Sequence, residues 1–124
     1  MNSTATSKKI SRTLRHISHP ARIRILLTIG EGEACVCHLE AALGYRQAYI
    51  SQHLMALRKT GLLNSRREGR FIFYRLRDPK LLALIETAAA LTDLSETEVH
   101  ALTLSTMEIA GCGCPVCSPD PVTP

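Results

Sequence analysis

The chain has 124 residues, of which 45% are hydrophobic and 4% aromatic, and it contains no tryptophan. This composition predicts one domain with a small aliphatic core, which a helical protein often completes by pairing with a second copy. The formal net charge of +4 is a mild signal for nucleic-acid binding. No apolar segment is long enough for a secretion signal or a membrane span, and no catalytic constellation stands out. We therefore expect a cytoplasmic protein that is neither an enzyme nor bound to a membrane.

The N-terminal part predicts a polar arm followed by two helices. Residues 1–9 are polar and lack apolar periodicity, and we expect them to be disordered. Ile10, Leu14 and Ile17 then fall on one face of a short helix. Pro20 suits the first turn of a second helix, because that position needs no N–H donor, and two glycines close this helix near residue 30.

Two helices joined by a glycine turn occupy the centre of the chain. The first runs from about Cys35 to Leu43, Gly44 supplies the turn, and the second lies within residues 46–60. A short helix followed by a longer one with a polar face is typical of a helix-turn-helix motif, whose second helix enters the DNA major groove. The alternative is an ordinary solvated helix without a nucleic-acid partner.

The second of these helices has one apolar and one polar side. Ile50, Leu54 and Leu57 recur at helical spacing and predict the buried side. The opposite side is short, polar and almost free of acidic residues, so its amides and hydroxyls can bond base edges while basic groups bond phosphates. We expect groove contacts from Gln47, Ser51, Gln52 and His53, and phosphate contacts near Tyr49 and Lys59.

The periodicity then changes to that of a β-hairpin. Residues 62–67 and 70–77 are the strand candidates, and residues 68–69 form the turn. Arg67 and Arg70 lie at the tip, where the wing of a winged helix contacts the adjacent DNA backbone or minor groove; the alternative is a hairpin whose charges only improve solubility. The sequence thus predicts a mainly α fold with a small β-hairpin, arranged as a winged helix-turn-helix.

The rest of the chain predicts two further helices and a tail. Asp78 and Pro79 begin a helix that reaches about Leu91, and its broad apolar face indicates a subunit interface in a homodimer. Ser95 and Glu98 match a capping box at the start of a last helix. The predicted divisions are a disordered arm (1–9), a winged helix-turn-helix and dimerisation domain (10–94), a C-terminal helix (95–111) and a Cys/Pro-rich tail (112–124).

The five cysteines lie in two groups, which in a cytosolic protein favour metal or redox chemistry over structural disulfides. Cys35 and Cys37 begin the helix before the polar-faced helix, and on a regular helix residues two apart point about 200° away from each other. They can therefore share one ion only if the first turn is irregular, and binding would then distort the helix that positions the DNA reader. Cys112, Cys114 and Cys117 can supply further sulfur ligands to a soft metal from the tail.

Other uses of these cysteines stay open. A regulatory disulfide could join Cys35 or Cys37 to a tail cysteine after oxidation. The tail could hold a structural zinc by itself, although three sulfurs leave such a site one ligand short of four. Cys35 and Cys37 could also be small buried hydrophobes. His38 is interpreted as a surface or helix-start residue and not as a ligand.

The chain resembles the ArsR/SmtB family of metal-sensing repressors, which are winged helix-turn-helix dimers, over roughly residues 18–91. The matching segments are His19-Pro20-Ala21-Arg22, Cys35-Val36-Cys37-His38-Leu39, Ser51-Gln52-His53-Leu54 with Leu57, Gly61-Leu62, and Arg67-Glu68-Gly69-Arg70 through Tyr74-Arg75-Leu76. The resemblance implies a homodimer that binds an inverted-repeat operator in double-stranded DNA and is released by metal. It also implies an interface between the first helix and the helix from Pro79. The Cys-Val-Cys element looks like the inducer site of the arsenite- and cadmium/lead-responsive branch.

The chain departs from the family patterns at positions that bear on the metal. His38 and Glu40 stand where the arsenite repressors have an acid and a third cysteine, which shifts the third sulfur ligand to the tail. The predicted helix over residues 79–91 contains no histidine, which disfavours the zinc site that other members have there, and His100 alone does not restore it.

The hypothesis from the sequence is a repressor of this family that responds to a thiophilic metal or metalloid. Arsenite or antimonite is the first choice of inducer and cadmium or lead the second, with no organic cofactor. One alternative is a thiol redox-sensing repressor of the same fold, which a disulfide would release from DNA without metal. The other is a thiolate protein that only buffers metal, which would have no affinity for DNA and would leave the arginine hairpin unexplained.

Overall fold

The computed structural model describes residues 3–103, which form six helices and three strands. In chain order these are α1 (Ser3–Ile17), α2 (Pro20–Ile29), β1 (Ala34–Cys35), α3 (Val36–Leu43), α4 (Gln47–Lys59), β2 (Leu63–Glu68), β3 (Phe71–Leu76), α5 (Lys80–Ala90) and α6 (Glu96–Thr103). This order confirms the predicted winged helix-turn-helix, mainly α with a small antiparallel sheet. None of the helices within these residues is both long and apolar enough to cross a membrane. The predicted end of the last helix and the tail lie outside the described residues.

α1 begins earlier than the sequence predicts. The prediction of disorder is wrong for residues 3–9, because the helix already starts at Ser3. These residues contain no glycine or proline to end a helix, and hydroxyls bond carbonyls one turn back, as from Ser7 to Ser3 at 2.9 Å. Their low apolar content therefore marks an exposed helical segment, which the buried Ile17 ties to the core.

α3 and α4 form the helix-turn-helix. The turn between them begins at Gly44, whose φ of +72° lies in the left-handed region that glycine adopts without strain. Its N–H donates to the carbonyl of Glu40 at 2.8 Å. The predicted apolar stripe of α4 is confirmed, because Ile50, Leu54 and Leu57 are fully buried. One side of α4 is thereby fixed to the core.

The end of α4 turns the chain directly into the next strand. Gly61 has a φ of +81°, and its N–H donates to the carbonyl of Arg58 at 3.0 Å. The N–H of Leu62 donates to the carbonyl of Leu57, also at 3.0 Å. This pair of bonds is a Schellman motif, which ends the helix at the glycine that the sequence predicts.

The sheet has three antiparallel strands in the order β1-β3-β2, where the sequence predicts two. β1 is missed because a strand of two residues shows no alternation of its own. It pairs with β3 so that Ala34 lies opposite Tyr74 and Cys35 lies opposite Phe73. The sheet therefore connects the start of α3 to the hairpin.

The hairpin of β2 and β3, called the wing below, extends from Leu63 opposite Leu76 to Glu68 opposite Phe71. Its two-residue turn is at residues 69–70, one residue later than predicted. The predicted strands are otherwise correct to within one residue at each end.

The sequence predicts Asp78 as the N-cap of α5, but α5 starts one residue later than predicted, at Lys80, and its N-cap is Pro79. Oδ1 of Asp78 still accepts a hydrogen bond from the N–H of Lys80 at 2.9 Å. The capping box of α6 is confirmed, because the N–H of Ser95 donates to Oε2 of Glu98 at 2.7 Å and the N–H of Glu98 donates to Oγ of Ser95 at 3.1 Å. α2, α3, α4, the sheet and α5 share one core, whose most deeply buried members include Ile25, Leu26, Leu39, Ile50, Leu54 and Leu57.

Candidate nucleic-acid interface and thiol pair

The solvent side of α4 carries most of the predicted DNA contacts. Gln47, Tyr49, Gln52 and Lys59 are exposed, and Ser51 is half-buried beside them. α4 contains no carboxylate that would repel a phosphate. The accessible surface of this helix therefore offers amide and hydroxyl groups suited to base edges and an ammonium group suited to phosphate.

His53 does not belong to that surface. Only 7% of its area is exposed, and its ring lies 4.6 Å, between centroids, from both His19 and Tyr49. Its Nδ1 accepts a hydrogen bond from Nε of Arg22 at 3.0 Å. We therefore correct the predicted groove contact: His53 is on the side of α4 that faces α2, where its imidazole is enclosed.

Three of the four arginines of the wing, Arg66, Arg67 and Arg70, differ in how their charge is used. Arg66 donates to both carboxylate oxygens of Glu33 at 2.7 and 2.8 Å and to Glu68 at 3.2 Å. The hydrogen bond with Glu33 raises the pKa of Arg66 and lowers the pKa of Glu33. Arg67 and Arg70 are exposed and form no ion pair with the residues described. Both arginines that the sequence predicts to contact phosphate thus carry a charge that is available to a partner.

Cys35 and Cys37, called the thiol pair below, come together because Cys35 lies outside the helix. α3 begins at Val36, and Cys35 is its N-cap, with extended backbone (φ −91°, ψ 169°). The Sγ of Cys35 accepts a hydrogen bond from the N–H of His38 at 3.4 Å. The two Sγ atoms lie 2.8 Å apart as thiols, without a disulfide. The helix therefore begins one residue later than predicted, and the extended Cys35 supplies the irregular start that the sequence predicts as the condition for both sulfurs to share one ion.

The thiol pair packs against the wing. Cys35 is 2% exposed and forms a buried cluster with Phe73, its partner across the sheet, while Cys37 is half-buried and packs on that cluster together with Phe71. The guanidinium of Arg66 lies 4.6 Å from the centroid of the Phe73 ring. A continuous set of contacts thus joins the two sulfurs to the wing.

His38 is near the start of α3 as predicted, but it is not a surface residue. Only 2% of its area is exposed, and burial lowers its pKa. Because α3 starts at Val36, its third position turns toward the core beside Leu39. The imidazole is therefore part of the protein interior.

The described residues supply only part of a metal site. Within residues 3–103, no group of three or more His, Cys, Asp or Glu side chains is arranged to hold a metal ion. The thiol pair offers a soft metal two ligands, whereas a zinc-type site takes four. The predicted ligands Cys112, Cys114 and Cys117 lie outside the described residues.

Comparisons with known proteins agree with this architecture. The profile of the family described as "Bacterial regulatory protein, arsR family" matches residues 19–65. The biofilm growth-associated repressor of Agrobacterium fabrum is 41% identical over 83 residues, which are 67% of this chain and 71% of that protein. The arsenic resistance transcriptional regulator ArsR1 of Pseudomonas putida is 46% identical over 61 residues, 48% of each chain. Reduced HlyU from Vibrio cholerae has a similar structure, with a TM-score of 0.65, 32% identity and coverage of 72% of this chain and 94% of that one.

Proposed function

Because this chain belongs to the ArsR/SmtB family of helix-turn-helix transcriptional regulators, we propose that it is a repressor that binds operator DNA as a homodimer and leaves it when the thiol pair reacts. The observation that carries the proposal is the 2.8 Å separation of two sulfurs at the start of the helix-turn-helix. Cys35 caps α3, and one turn separates α3 from α4. A change at these sulfurs therefore acts on the helix that holds the DNA reader.

Thiol oxidation by a peroxide is the inducer chemistry that needs no protein group besides two sulfurs. The thiolate of Cys37, the more exposed residue, attacks a peroxide oxygen, the O–O bond breaks, and a sulfenic acid forms as hydroxide or alkoxide leaves. The thiolate of Cys35 then attacks the Cys37 sulfur and displaces hydroxide, which takes up a proton to form water, and a disulfide remains. In total two thiols lose two electrons and two protons, and the peroxide is reduced. The relative solved as reduced HlyU is in line with such chemistry in this fold.

A thiophilic metal or metalloid is the second candidate inducer. Arsenite or antimonite, or else cadmium or lead, would bind the same two sulfurs and would draw the remaining ligands from Cys112, Cys114 and Cys117. The identity with an arsenic resistance regulator supports this candidate. Oxidation ranks first because residues 3–103 provide both of its reacting atoms, whereas they provide only part of a metal shell.

A homodimer is proposed because two helices present apolar side chains that residues 3–103 of one chain leave uncovered. In α1, Ile10 is 58% exposed and Leu14 45% exposed. In α5, Leu84 is 38% exposed, and Leu91 follows it at 83%. A second copy related by two-fold symmetry would cover these side chains and would present two α4 helices to the two halves of an inverted repeat.

Each protomer is proposed to contact DNA through α4 and the wing. Groove contacts come from Gln47, Ser51 and Gln52, and backbone contacts come from Tyr49, Lys59, Arg67 and Arg70. The amide and hydroxyl groups select the sequence, and the arginines and lysine add affinity that falls with salt.

The test is release of the fully reduced protein from a fluorescent duplex of its own promoter, followed by anisotropy. Hydrogen peroxide is titrated in one arm, and arsenite, antimonite, cadmium, lead and zinc in others, with Cys37→Ser as the matched control. Release by peroxide that dithiothreitol reverses, with a disulfide in the mass spectrum, supports the redox repressor. Release by arsenite or antimonite under reducing conditions, with peroxide inert, moves the function to the metalloid sensor. Absence of promoter binding, or binding that no arm changes, contradicts the proposal.

A further inference from the structure

Arg22 connects three helices on the side of α4 that faces the protein interior. Its Nη1 donates to the carbonyl of His16, in the last turn of α1, at 2.9 Å. Its Nε donates to Nδ1 of His53, in α4, at 3.0 Å. Carbonyls in the last turn of a helix have no partner within that helix, so the first bond satisfies one of them. Because Arg22 lies in the first turn of α2, one side chain links α1, α2 and α4.

The bond between Arg22 and His53 requires a neutral imidazole. A guanidinium only donates hydrogen bonds, so Nδ1 of His53 must be the acceptor and the ring proton is on Nε2. That Nε2 is buried and has no hydrogen-bond partner among residues 3–103. A protonated His53 would donate from both nitrogens, so it would lose the bond from Arg22 and place two cations side by side.

The groups that face His53 come from each helix that packs on it. α2 contributes Arg22, and its N-cap His19 lies 4.6 Å away between ring centroids. α4 itself contributes the ring of Tyr49, also at 4.6 Å and nearly perpendicular, and α1 contributes the carbonyl of His16 through Arg22. Burial, then the charges of His19 and Arg22, lower the pKa of His53. In the described part of the chain no carboxylate forms an ion pair with it.

We propose that Arg22 and His53 are positioning residues that hold α4 against α1 and α2 while His53 is neutral, so that acidification loosens α4 and weakens DNA binding. This inference rests on the proposed DNA-binding function. In this proposal neither Arg22 nor His53 contacts DNA. They act through the placement of the exposed residues of α4, such as Gln52, which lies next to His53 in the helix.

The direction of the pH effect on DNA affinity distinguishes this proposal from general electrostatic attraction between the protein and DNA. Protonation of exposed histidines adds positive charge and strengthens binding to a polyanion. Protonation of His53 has the opposite effect, because the DNA-bound form needs the neutral ring. If one proton per protomer must be released on binding, each protomer lowers the affinity by up to about tenfold for each pH unit below the pKa of the free protein, and a dimer lowers it by up to about a hundredfold. Because burial lowers this pKa, the fall lies below the ordinary histidine value of about 6.5.

The test uses the full chain and a duplex that the wild-type protein selects from a random-sequence library at about pH 7.5. Affinity is measured by anisotropy from about pH 5 to 8, at fixed ionic strength, for the wild type, His53→Asn and His100→Asn. Asparagine keeps an oxygen acceptor for Arg22 but takes up no proton. His100, an exposed histidine of α6, is the matched control. We expect the wild type and His100→Asn to lose about tenfold or more in affinity at the acidic end, and His53→Asn to change by less than about twofold.

An acidic loss in His53→Asn equal to that of the wild type would overturn the proposal, and so would wild-type binding that strengthens on acidification. A second readout, which does not need DNA, is the set of imidazole ¹⁵N shifts of the wild-type protein. We expect the Nε2–H tautomer of His53 at neutral pH, and we expect its titration to shift amide resonances of α1 and α2 together with those of α4. The Nδ1–H tautomer, or a titration confined to His53, would also overturn it. If the library yields no enriched sequence, the proposed function fails, and the nitrogen spectra still decide whether the pair positions α4.

Discussion

Replacing Cys35 by serine separates the sensing role of this sulfur from its structural role. Its Sγ caps α3 by accepting the N–H of His38 at 3.4 Å, and it is buried against Phe73. Serine is a preferred N-cap, so its oxygen keeps the cap, whereas removal of such a cap to alanine costs about 0.5–2 kcal/mol. What serine removes is the packing of the larger sulfur on its aromatic neighbour, worth about 0.3–1.5 kcal/mol. We expect Cys35→Ser to lower the free energy of unfolding by no more than about 1.5 kcal/mol.

That loss is small beside the roughly 5–15 kcal/mol that stabilise an ordinary domain. The untreated variant should therefore fold and bind the promoter duplex within about threefold of the wild type, or about 0.7 kcal/mol. Its release by the wild-type inducer should be abolished, because the second reacting sulfur at 2.8 Å from Cys37 is gone. Urea unfolding followed by circular dichroism gives the stability, and anisotropy gives binding and release. Cys35→Ala is the control that removes both the cap and the sulfur, and we expect it to be less stable than Cys35→Ser by about 1 kcal/mol.

Two results would refute this reasoning. If Cys35→Ser were released at the same inducer concentration as the wild type, Cys35 would not be part of the sensor. If the untreated variant were as stable as expected but its promoter affinity fell by more than about tenfold, or 1.4 kcal/mol, the sulfur itself would be needed for the DNA-binding form.

The wing and the second buried histidine can be tested separately. Replacing Arg67 and Arg70 by alanine should weaken binding to all duplexes alike. The slope of log affinity against log salt should fall in magnitude by about one for each phosphate that the variant no longer neutralises. An unchanged slope would show that the wing is not part of the interface. Glu33→Gln removes the carboxylate that holds Arg66, so salt dependence should become steeper with little loss of stability, because the ion pair is partly exposed; a shallower slope would argue the opposite. Burial lowers the pKa of His38, so stability that is present above about pH 6.5 should be lost as pH falls through the folded-state value. Urea titrations at several pH values should show a smaller loss in His38→Gln, and an equal loss would place its cause elsewhere.

The local features of this fold could be predicted because each depends on a short stretch of sequence. Ile50, Leu54 and Leu57 define α4 by their spacing alone, and Ser95 with Glu98 is sufficient to mark the start of α6. β1 could not be predicted in this way. Its two residues become a strand by pairing with β3, which lies far along the chain.

The candidate site depends on contacts between distant parts of the chain, and for this reason the sequence predicts it only in part. Regular helix geometry puts Cys35 and Cys37 on opposite sides, and the extended backbone that β1 gives to Cys35 removes that restriction. His53 stands among polar residues of α4, and its position in the sequence therefore predicts a side chain that faces DNA. Its actual partner, Arg22, lies 31 residues earlier, and no periodicity of the sequence relates the two.

The contacts that lead from Cys35 through Phe73 to Arg66 bear on the rates at which a repressor binds its DNA and dissociates from it. Charges on a surface such as the wing act mainly on the rate of encounter, because they attract phosphate at a distance. Groove contacts such as those proposed for α4 act mainly on the lifetime of the complex. Cys35 is close to both α4 and the wing. It caps α3, the helix before α4, and it packs on the ring of Phe73, over which the guanidinium of Arg66 lies. A reaction at this sulfur is therefore expected to shorten the residence of the repressor on its operator and also to slow its return.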